Sequence, residues 1–342
     1  MTLRLALALT FAFTGCRIEW ATPQAQGAPV EASQGPSGDV WVYTSMYRPV
    51  VDALEPLLKQ QLPSVKVHWY QAGSEKVLAR LEAELAAGST QADIIATSDP
   101  FLYARFKAEG RWLKYVSPNG QRLPRSLVDL DGEYAAIRVS TMVLAYRKGI
   151  PAVPASFAEL ADPRWQGEVA LGDPLTSGTA FTWAVFMDQA YGPEYFEKLR
   201  ANGARIAGGN AAVLQKLEGQ EAQVGVLLLE NALIAQSKGS PIEIRWPEDG
   251  AVIIPGFAGI LKTTSHARAA QAVIDLLLSP QGQALMVEGQ MHAADPRLVG
   301  PRGQASVDAV IAKARVWNEA MQERGNSDGT RVKQAFSEAF SK

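Results

Sequence analysis

The chain has 342 residues, enough for two domains of ordinary size. Its 33 basic and 35 acidic residues give a net charge of -2, without the basic excess that is typical of nucleic-acid binders. A hydrophobic fraction of 47% and a charged fraction of 20% are typical of a globular protein. We therefore expect no nucleic-acid partner.

The first sixteen residues have the pattern of an export signal. Arg4 supplies a positive start, the stretch from Leu5 to Phe13 is apolar, and Thr14-Gly15-Cys16 ends it with small residues. The apolar stretch is too short to cross a bilayer comfortably. Cys16 is the only cysteine, so the rest of the chain has no disulfide framework or thiolate metal site.

The position of Cys16 resembles the lipobox of bacterial lipoproteins, although Phe13 replaces the usual aliphatic residue. This implies cleavage before Cys16 and lipidation of its thiol; a plain secretory signal is the alternative. Residues 17–38 are rich in Ala, Pro, Gln, Gly and Ser without apolar periodicity. We predict that they form a flexible linker between the membrane and the globular part.

The first part of the globular region alternates between strand and helix patterns. The predicted strands are 39–43, 65–70 and 92–96, and the predicted helices begin near Arg48, at Gly73-Ser74 and at Phe101. Such alternation predicts a parallel α/β sheet with helices on both faces. A long extended segment, 134–146, follows.

A second block repeats this pattern, and another extended segment, 251–261, follows it. The predicted elements of the block are strand 168–171, helices 180–189, 193–201 and 211–217 (with Asn210 as N-cap), and strand 224–229. Helices starting at Ser265 and Pro280 and a polar helical tail from about Ser306 complete the chain. The flanking extended segments predict a two-strand hinge joining lobe 1 (39–138 and 254–342) to lobe 2 (139–253).

Small hydroxylated residues follow several predicted strands. Thr44-Ser45, Gly73-Ser74 and Thr97-Ser98-Asp99 belong at one edge of the sheet, where α/β proteins bind ligands. In the second block, Ser177-Gly178-Thr179 opens a helix, where free amides and the helix dipole favour an anion. Each of these segments alone is also explained as an ordinary helix cap.

Several segments together resemble the type II solute-binding proteins of bacterial ABC importers, in the branch that includes ferric-iron binders and binders of small organophosphates and phosphonates. The segments that carry this resemblance are Val42-Tyr43-Thr44-Ser45, residues 72–81, Ala92-Asp93-Ile94-Ile95, Thr176-Ser177-Gly178-Thr179, residues 210–215 and Ser279-Pro280-Gln281-Gly282-Gln283. The resemblance implies an α/β periplasmic-binding fold of two doubly wound lobes. It also implies a permease partner in the inner membrane and a place in the periplasm or on the outer face of the membrane, anchored through a lipid on Cys16.

The resemblance further implies a small anionic ligand such as a phosphorylated sugar or a phosphonate. Ser177, Gly178, Thr179 and Asn210 match the residues that hold a phosphate-like anion, and Arg138 adds a charge. Asp99 and Glu230 are expected to accept hydrogen bonds from ligand hydroxyls or to pair with an amine. The full set of candidate ligand-binding residues is Thr44, Ser45, Gly73, Ser74, Thr97, Ser98, Asp99, Arg138, Ser177, Gly178, Thr179, Asn210 and Glu230.

Ferric iron with a synergistic anion is the alternative ligand. The tyrosine pair of the iron binders matches Leu229-Glu230, where this chain has no tyrosine; their histidine and acidic ligand fall near Tyr47 and Ser98. Ferric iron prefers anionic oxygen ligands, so the resemblance gives it little support here. A ligand sensor without a transport role is a further alternative.

We expect a monomer that is not an enzyme and has no cofactor or metal site of its own. The sequence has no G-x-S-x-G elbow, H-E-x-x-H motif or Walker loop. His68, His266 and His292 lack metal-ligand spacing and are interpreted as structural or surface residues. Tyr43 and Tyr47 follow a strand, where an aromatic residue is more often in the core than in a cleft.

Overall fold

The computed structural model describes residues 35–341 of the chain. The predicted export signal, Cys16 and all but the last residues of the predicted linker lie outside the described residues. The strands are β1 Gly38–Thr44, β2 Val65–Gln71, β3 Ile94–Thr97, β4 Trp112–Leu113, β5 Tyr134–Arg147, β6 Val169–Gly172, β7 Arg205–Ala207, β8 Val224–Leu228, β9 Ile242–Arg245, β10 Val252–Leu261, β11 His292–Ala293 and β12 Arg315–Val316.

Helices connect most of these strands. They are α1 Arg48–Gln61, α2 Ser74–Ala86, α3 Pro100–Ala108, α4 Gly178–Tyr191, α5 Glu194–Ala201, α6 Asn210–Glu218, α7 Leu229–Ser237, α8 Ala267–Leu277, α9 Pro280–Glu288, α10 Val307–Ile311 and α11 Glu319–Ser341. Short 3-10 turns lie between β4 and β5 and between β5 and β6. Among the described residues, no helix is both long and apolar enough to cross a membrane.

The main strands form one sheet in the order β2-β1-β3-β10-β5-β8-β6-β7. Strands β1, β2 and β3 run parallel on one side of the sheet, here called the β1 side. Strands β6, β7 and β8 run parallel on the other, here called the β8 side. The α/β class is confirmed, but the sheet is mixed rather than parallel throughout, because β5 and β10 run antiparallel in its middle.

The β5–β10 pair connects the two sides. The pair extends from Tyr134 opposite Gly259 to Met142 opposite Val252, and β5 then continues along β8 as far as Tyr146. Both long extended segments of the sequence are therefore confirmed as strands. Their register shifts between Gly256 and Phe257, next to Arg138.

A single glycine makes room for Arg138 at this shift. A Cβ atom on Gly256 would lie 2.6 Å from Arg138 Cγ and 3.1 Å from its Nε. Any larger residue at this position would have to displace the arginine, because real Cβ contacts are not this short. The glycine thus allows the arginine side chain to lie across the central strand pair.

The C-terminal region departs from the prediction of a helical tail from about Ser306. A short helix, α10, is followed by strand β12, whose Arg315 and Val316 pair with Val252 and Ile253 of β10. The long helix α11 begins only at Glu319. Pairing with the central strand interrupts the helix here, which a local polar pattern does not reveal.

Gln283 fastens helix α9 to the central sheet. It is fully buried, and its Nε2 donates hydrogen bonds to the carbonyls of Ile137 at 2.7 Å and Leu277 at 2.9 Å. Its Oε1 accepts from the N–H groups of Ala294 at 2.7 Å and Asp295 at 3.1 Å. The side chain therefore satisfies four backbone groups from three segments, one of them next to Arg138.

We predict that Gln283→Leu lowers the free energy of unfolding by about 3 kcal/mol, because four buried backbone groups lose their partners. Urea denaturation measures this. Gln281→Leu is the matched control: Gln281 is exposed on the same helix, and a change there is expected to stay within about 0.5 kcal/mol. Equal effects of the two substitutions would contradict the role assigned to Gln283.

Candidate ligand-binding cavity

A cavity of about 170 Å³ lies where the ends of strands from the β1 and β8 sides meet. It is large enough for a small polyatomic ligand rather than a single water molecule. We call it the central cavity. Its lining residues are Ser45, Tyr47, Gly73, Ser74, Ser98, Arg138, Thr176, Ser177, Gly178, Thr179, Gly209, Asn210 and Leu228.

Nine of the thirteen candidate binding residues lie in this lining. They are Ser45, Gly73, Ser74, Ser98, Arg138, Ser177, Gly178, Thr179 and Asn210. The structure therefore brings together segments that are up to 165 positions apart in the sequence, from Ser45 to Asn210. Thr44, Thr97, Asp99 and Glu230 lie outside the lining.

The four residues outside the lining have partners inside the protein. Thr44 Oγ1 donates to the carbonyl of Ala96 at 2.8 Å, and the N–H of Thr97 donates to Tyr103 Oη at 3.0 Å. Strand side chains alternate between faces, so Thr44 points away from the cavity that its neighbour Ser45 lines.

The two carboxylates outside the lining are likewise occupied. Asp99 caps helix α3 by accepting from the N–H of Phe101 at 3.1 Å, and Glu230 Oε1 accepts from Ser140 Oγ at 2.7 Å. The expectation that these carboxylates face ligand hydroxyls or an amine is therefore not supported by their positions.

Five helices have their N-cap residue in the cavity lining. These N-caps are Tyr47 of α1, Gly73 of α2, Ser177 of α4, Gly209 of α6 and Leu228 of α7. Of these, only Ser177 caps its helix with its own side chain, by accepting from the N–H of Ala180 at 3.4 Å. First-turn amides and the positive ends of several helix dipoles are thus directed to one small volume.

Asn210 was predicted as the N-cap of its helix, and this is wrong. Gly209 is the cap, and Asn210 is the first helical residue. Its Oδ1 accepts from the N–H of Leu228 at 3.1 Å, and its Nδ2 donates to Thr179 Oγ1 at 2.9 Å. The side chain is therefore turned toward neighbouring elements of the β8 side instead of capping its own helix.

Arg138 supplies the positive charge of the cavity. Only 3% of the residue is exposed, and its guanidinium donates to Ser140 Oγ at 2.9 Å, to Ser45 Oγ at 3.3 Å and to Met291 Sδ at 3.5 Å. Among the described residues, no carboxylate forms an ion pair with it. Ser140 stands between it and Glu230.

Burial shapes the electrostatics of this pair. Loss of solvation lowers the pKa of Arg138, and the nearby charge of Glu230 opposes that change. Loss of solvation also raises the pKa of Glu230, against the Ser140 hydrogen bond and the charge of Arg138. Glu230 is connected to the buried cation only through the Ser140 hydroxyl. The positive charge of Arg138 can therefore attract an anion into the cavity.

Ser98 presents an unpaired hydroxyl to the cavity. The residue is 2% exposed, and its Oγ has no hydrogen-bond partner among the described residues. Buried polar atoms are normally hydrogen-bonded, so an unpaired one in a cavity lining is a sign of a missing ligand or water.

Four lining residues were not among the candidates. They are Tyr47, Thr176, Gly209 and Leu228. Tyr47 was interpreted as a core residue, yet it lines the cavity, and its Oη donates to Asn231 Oδ1 at 2.7 Å. Leu228 ends strand β8, so the strand-end rule contained the signal for it. Tyr43, by contrast, is fully buried and donates to Glu84, as expected of a core tyrosine.

The three histidines lie outside the cavity lining. His68 hydrogen-bonds Asp39 at 2.6 Å and stacks on Trp41, while His292 Nε2 contacts the carbonyl of Ala305 at 3.0 Å. Within residues 35–341, no cluster of three or more His, Cys, Asp or Glu side chains has the arrangement of a metal site.

The sequence matches a known protein family. Residues 89–305 match the family model described as bacterial extracellular solute-binding protein. An uncharacterised protein of Haemophilus influenzae is 26% identical over 282 residues, which cover 76% of this chain and 79% of that protein.

Two solved structures show the same fold. The periplasmic binding protein AfuA from Actinobacillus pleuropneumoniae, solved with fructose-6-phosphate, gives a TM-score of 0.76 at 21% identity, covering 90% of this chain and 99% of AfuA. Iron-bound HitA from Pseudomonas aeruginosa gives 0.76 at 17% identity, covering 88% and 99%. At these identities the likeness shows the fold, which confirms the expected type II periplasmic-binding architecture.

The site analysis makes a prediction about pH. Burial, and next to it the charge of Glu75, raises the pKa of Asp99 from 3.8 to about 6. The folded protein therefore binds a proton here at a higher pH than the unfolded chain does, so this carboxyl stabilises the fold fully below about pH 4. The contribution is lost as the pH rises through about 6.

Relative to Asp99→Asn, the wild-type protein is expected to lose about 2 kcal/mol of unfolding free energy between about pH 4 and pH 7. Asparagine keeps a capping oxygen and does not titrate. Every other titratable group is present in both proteins, so the difference between them isolates the contribution of Asp99. Denaturant unfolding of both proteins across this range gives the difference. A constant difference would show that Asp99 titrates normally.

Proposed function

Because the chain belongs to the bacterial extracellular solute-binding proteins, the binding components of ABC importers, we propose that it captures a small ligand carrying a phosphate-like anion. A phosphorylated sugar or a phosphonate is the ligand class. The protein then delivers the ligand from the outer side of the cytoplasmic membrane to a permease. The observation that carries this proposal is the buried guanidinium of Arg138, which faces the central cavity without a carboxylate partner.

The rest of the lining supports an anion. Helix N-termini and the hydroxyls of Ser45, Ser98 and Thr179 surround the same volume as Arg138, and no lining residue carries a carboxylate. Helix N-termini bind anions through free amides and the helix dipole, and an arginine adds charge-assisted hydrogen bonds. AfuA, which shares the fold, was solved with a sugar phosphate.

Ferric iron is the competing ligand, since HitA shares the fold and was solved with iron. In the central cavity, Tyr47 is the one lining side chain that could become an anionic oxygen ligand. Burial and the charge of Glu230 raise its pKa, which opposes a phenolate. Leu229 and Glu230 stand where the resemblance placed the tyrosine pair. A hard trivalent cation finds few suitable ligands here.

We also propose that the β1 and β8 sides act as two lobes, residues 39–138 with 254–342 and residues 139–253, that close on the ligand. The residues from Pro36 onward form one compact unit, and the two sides share the central strand pair. A hydrogen bond from Tyr47 to Asn231 joins the two sides. Gly178 also lies close to Ser74: a Cβ added to Gly178 would be 3.1 Å from Ser74 Cβ. A lipid on Cys16 would hold this monomeric receptor at the membrane.

We predict that Ser98→Ala weakens binding of fructose 6-phosphate about tenfold or more without lowering stability. The hydroxyl has no hydrogen-bond partner among the described residues, so its removal breaks no hydrogen bond within the protein, whereas a charged ligand would lose one. Calorimetry gives the affinity and thermal unfolding the stability.

Thr141→Val is the matched control for this test. Thr141 Oγ1 is also buried without a partner, but Thr141 lies outside the cavity lining, so its replacement should leave the affinity unchanged. If Ser98→Ala keeps wild-type affinity, the cavity is not the binding site. If ferric iron raises the melting temperature and fructose 6-phosphate does not, the ligand class is wrong.

For closure, we predict that Gly178→Val weakens binding about tenfold, because a side chain there would collide with Ser74 when the two sides approach. Small-angle X-ray scattering with fructose 6-phosphate should show compaction of the wild type but not of this variant. Gly208→Val is the size-matched control, since a Cβ on Gly208 meets nothing closer than 4.0 Å. Full compaction of Gly178→Val would rule out closure at this contact.

A further inference from the structure

We propose that the central cavity selects fully ionised, doubly charged oxyanions over their singly protonated forms, because several of its polar groups are fixed as hydrogen-bond donors and no lining side chain is a carboxylate. This inference rests on the proposed function and concerns the same cavity. A phosphate dianion only accepts hydrogen bonds. A phosphate monoanion also carries an O–H group, which needs an acceptor and costs free energy if buried without one.

Ser45 shows how the protein fixes the direction of a hydroxyl. Its Oγ accepts from the backbone N–H of Ser98 at 3.2 Å and from Arg138 Nη2 at 3.3 Å, and both of these groups can only donate. A hydroxyl has two lone pairs and one proton. With both lone pairs engaged, Ser45 can offer the ligand only its proton.

The β8 side repeats this arrangement. The backbone N–H of Leu228 fixes Asn210 Oδ1 as an acceptor, so Asn210 Nδ2 is a donor and gives one hydrogen to Thr179 Oγ1. Ser177 Oγ accepts from the N–H of Ala180 and lies 3.2 Å from Thr179 Oγ1. One of the two hydroxyl protons lies between Ser177 Oγ and Thr179 Oγ1. The other hydroxyl proton and the second amide hydrogen of Asn210 can be donated to a ligand in the cavity.

The N–H groups of the cavity can only donate hydrogen bonds. Arg138 has N–H groups and no acceptor, and the backbone amides at the start of α2 and α6 have no side-chain cap. Ser98 Oγ has no partner among the described residues, so its direction is not fixed and it can also donate to an anion. A ligand in this cavity meets converging protons from both sides of the sheet.

Acceptors are scarce by comparison. Tyr47 Oη gives its proton to Asn231, which leaves a phenol oxygen, a weaker acceptor than a carboxylate. Asp99 accepts from the N–H groups of helix α3 and Glu230 accepts from Ser140, so neither lines the cavity. A protonated phosphate oxygen thus finds no carboxylate in the lining to accept its proton.

The charged groups around the cavity come from several elements. Arg138 of β5 lines it, whereas Glu230 of α7, Asp99 at the start of α3 and Glu75 in the first turn of α2 lie outside the lining. Lys333 of α11 pairs with Glu75 at 3.3 Å. Asp99 has a pKa of about 6, within the range of the experiment, and burial also raises the pKa of Glu230, so titration of the protein needs controls.

The test is the affinity for fructose 6-phosphate and for inorganic sulfate between pH 5 and pH 8. A phosphate monoester has a second pKa of about 6, so the dianion falls from about nine-tenths of the ester at pH 7 to about one-tenth at pH 5. If only the dianion binds, the apparent affinity falls about tenfold over this interval. Sulfate remains doubly charged, and its affinity is expected to stay within about twofold.

Asp99→Asn removes the titration of Asp99, and sulfate reports on the remaining groups of the protein, including Glu230. The tenfold loss for fructose 6-phosphate is expected to persist in this variant. An affinity for the ester that is flat, or that rises toward pH 5, overturns the selection of dianions but leaves the proposed anion binding intact. A loss that disappears in Asp99→Asn, or that sulfate shares, assigns the pH effect to the protein and also overturns the inference. Failure of both probes to bind at pH 8 contradicts the proposed function itself.

Discussion

The burial of the Arg138 charge is the constraint on which the rest of this structure depends. Removing a guanidinium from water is costly unless other groups solvate it, and here the hydroxyls of Ser140 and Ser45 and the thioether of Met291 do so instead of a carboxylate. Room for the side chain comes from Gly256 and the register shift of β10. The central strand pair, the cavity and its charge are therefore parts of one arrangement.

The sheet topology explains why so many helix starts meet the same charge. Parallel strands on the β1 side and on the β8 side both end toward the middle of the molecule, and each is followed by a helix. Helix N-termini from the two sides therefore face one another across the cavity. Their free amides and dipoles are directed at a ligand that neither side surrounds alone. This arrangement also makes donors abundant and acceptors scarce in the lining.

The sequence predicted which residues line the cavity wherever the end of a strand and the start of the next helix could be located. Ser45, Ser98 and Ser177 follow from that rule, and the cavity contains them. Thr44 and Asp99 satisfy the same rule but point into the protein, since side-chain direction depends on the pleat and on which amides need a cap. Tyr47 was missed because its partner, Asn231, is 184 positions away.

The sequence by itself determined the α/β class, the two blocks and the two long extended segments, because apolar periodicity and turn residues act over short stretches of chain. It also placed hydroxylated residues at the ends of strands. Only the tertiary structure decided that β5 and β10 run antiparallel between the blocks, that Asn210 turns away from its helix cap, and that the Arg138 charge is left without a carboxylate. These features depend on contacts between distant segments, and local pattern carries no information about which distant groups will meet.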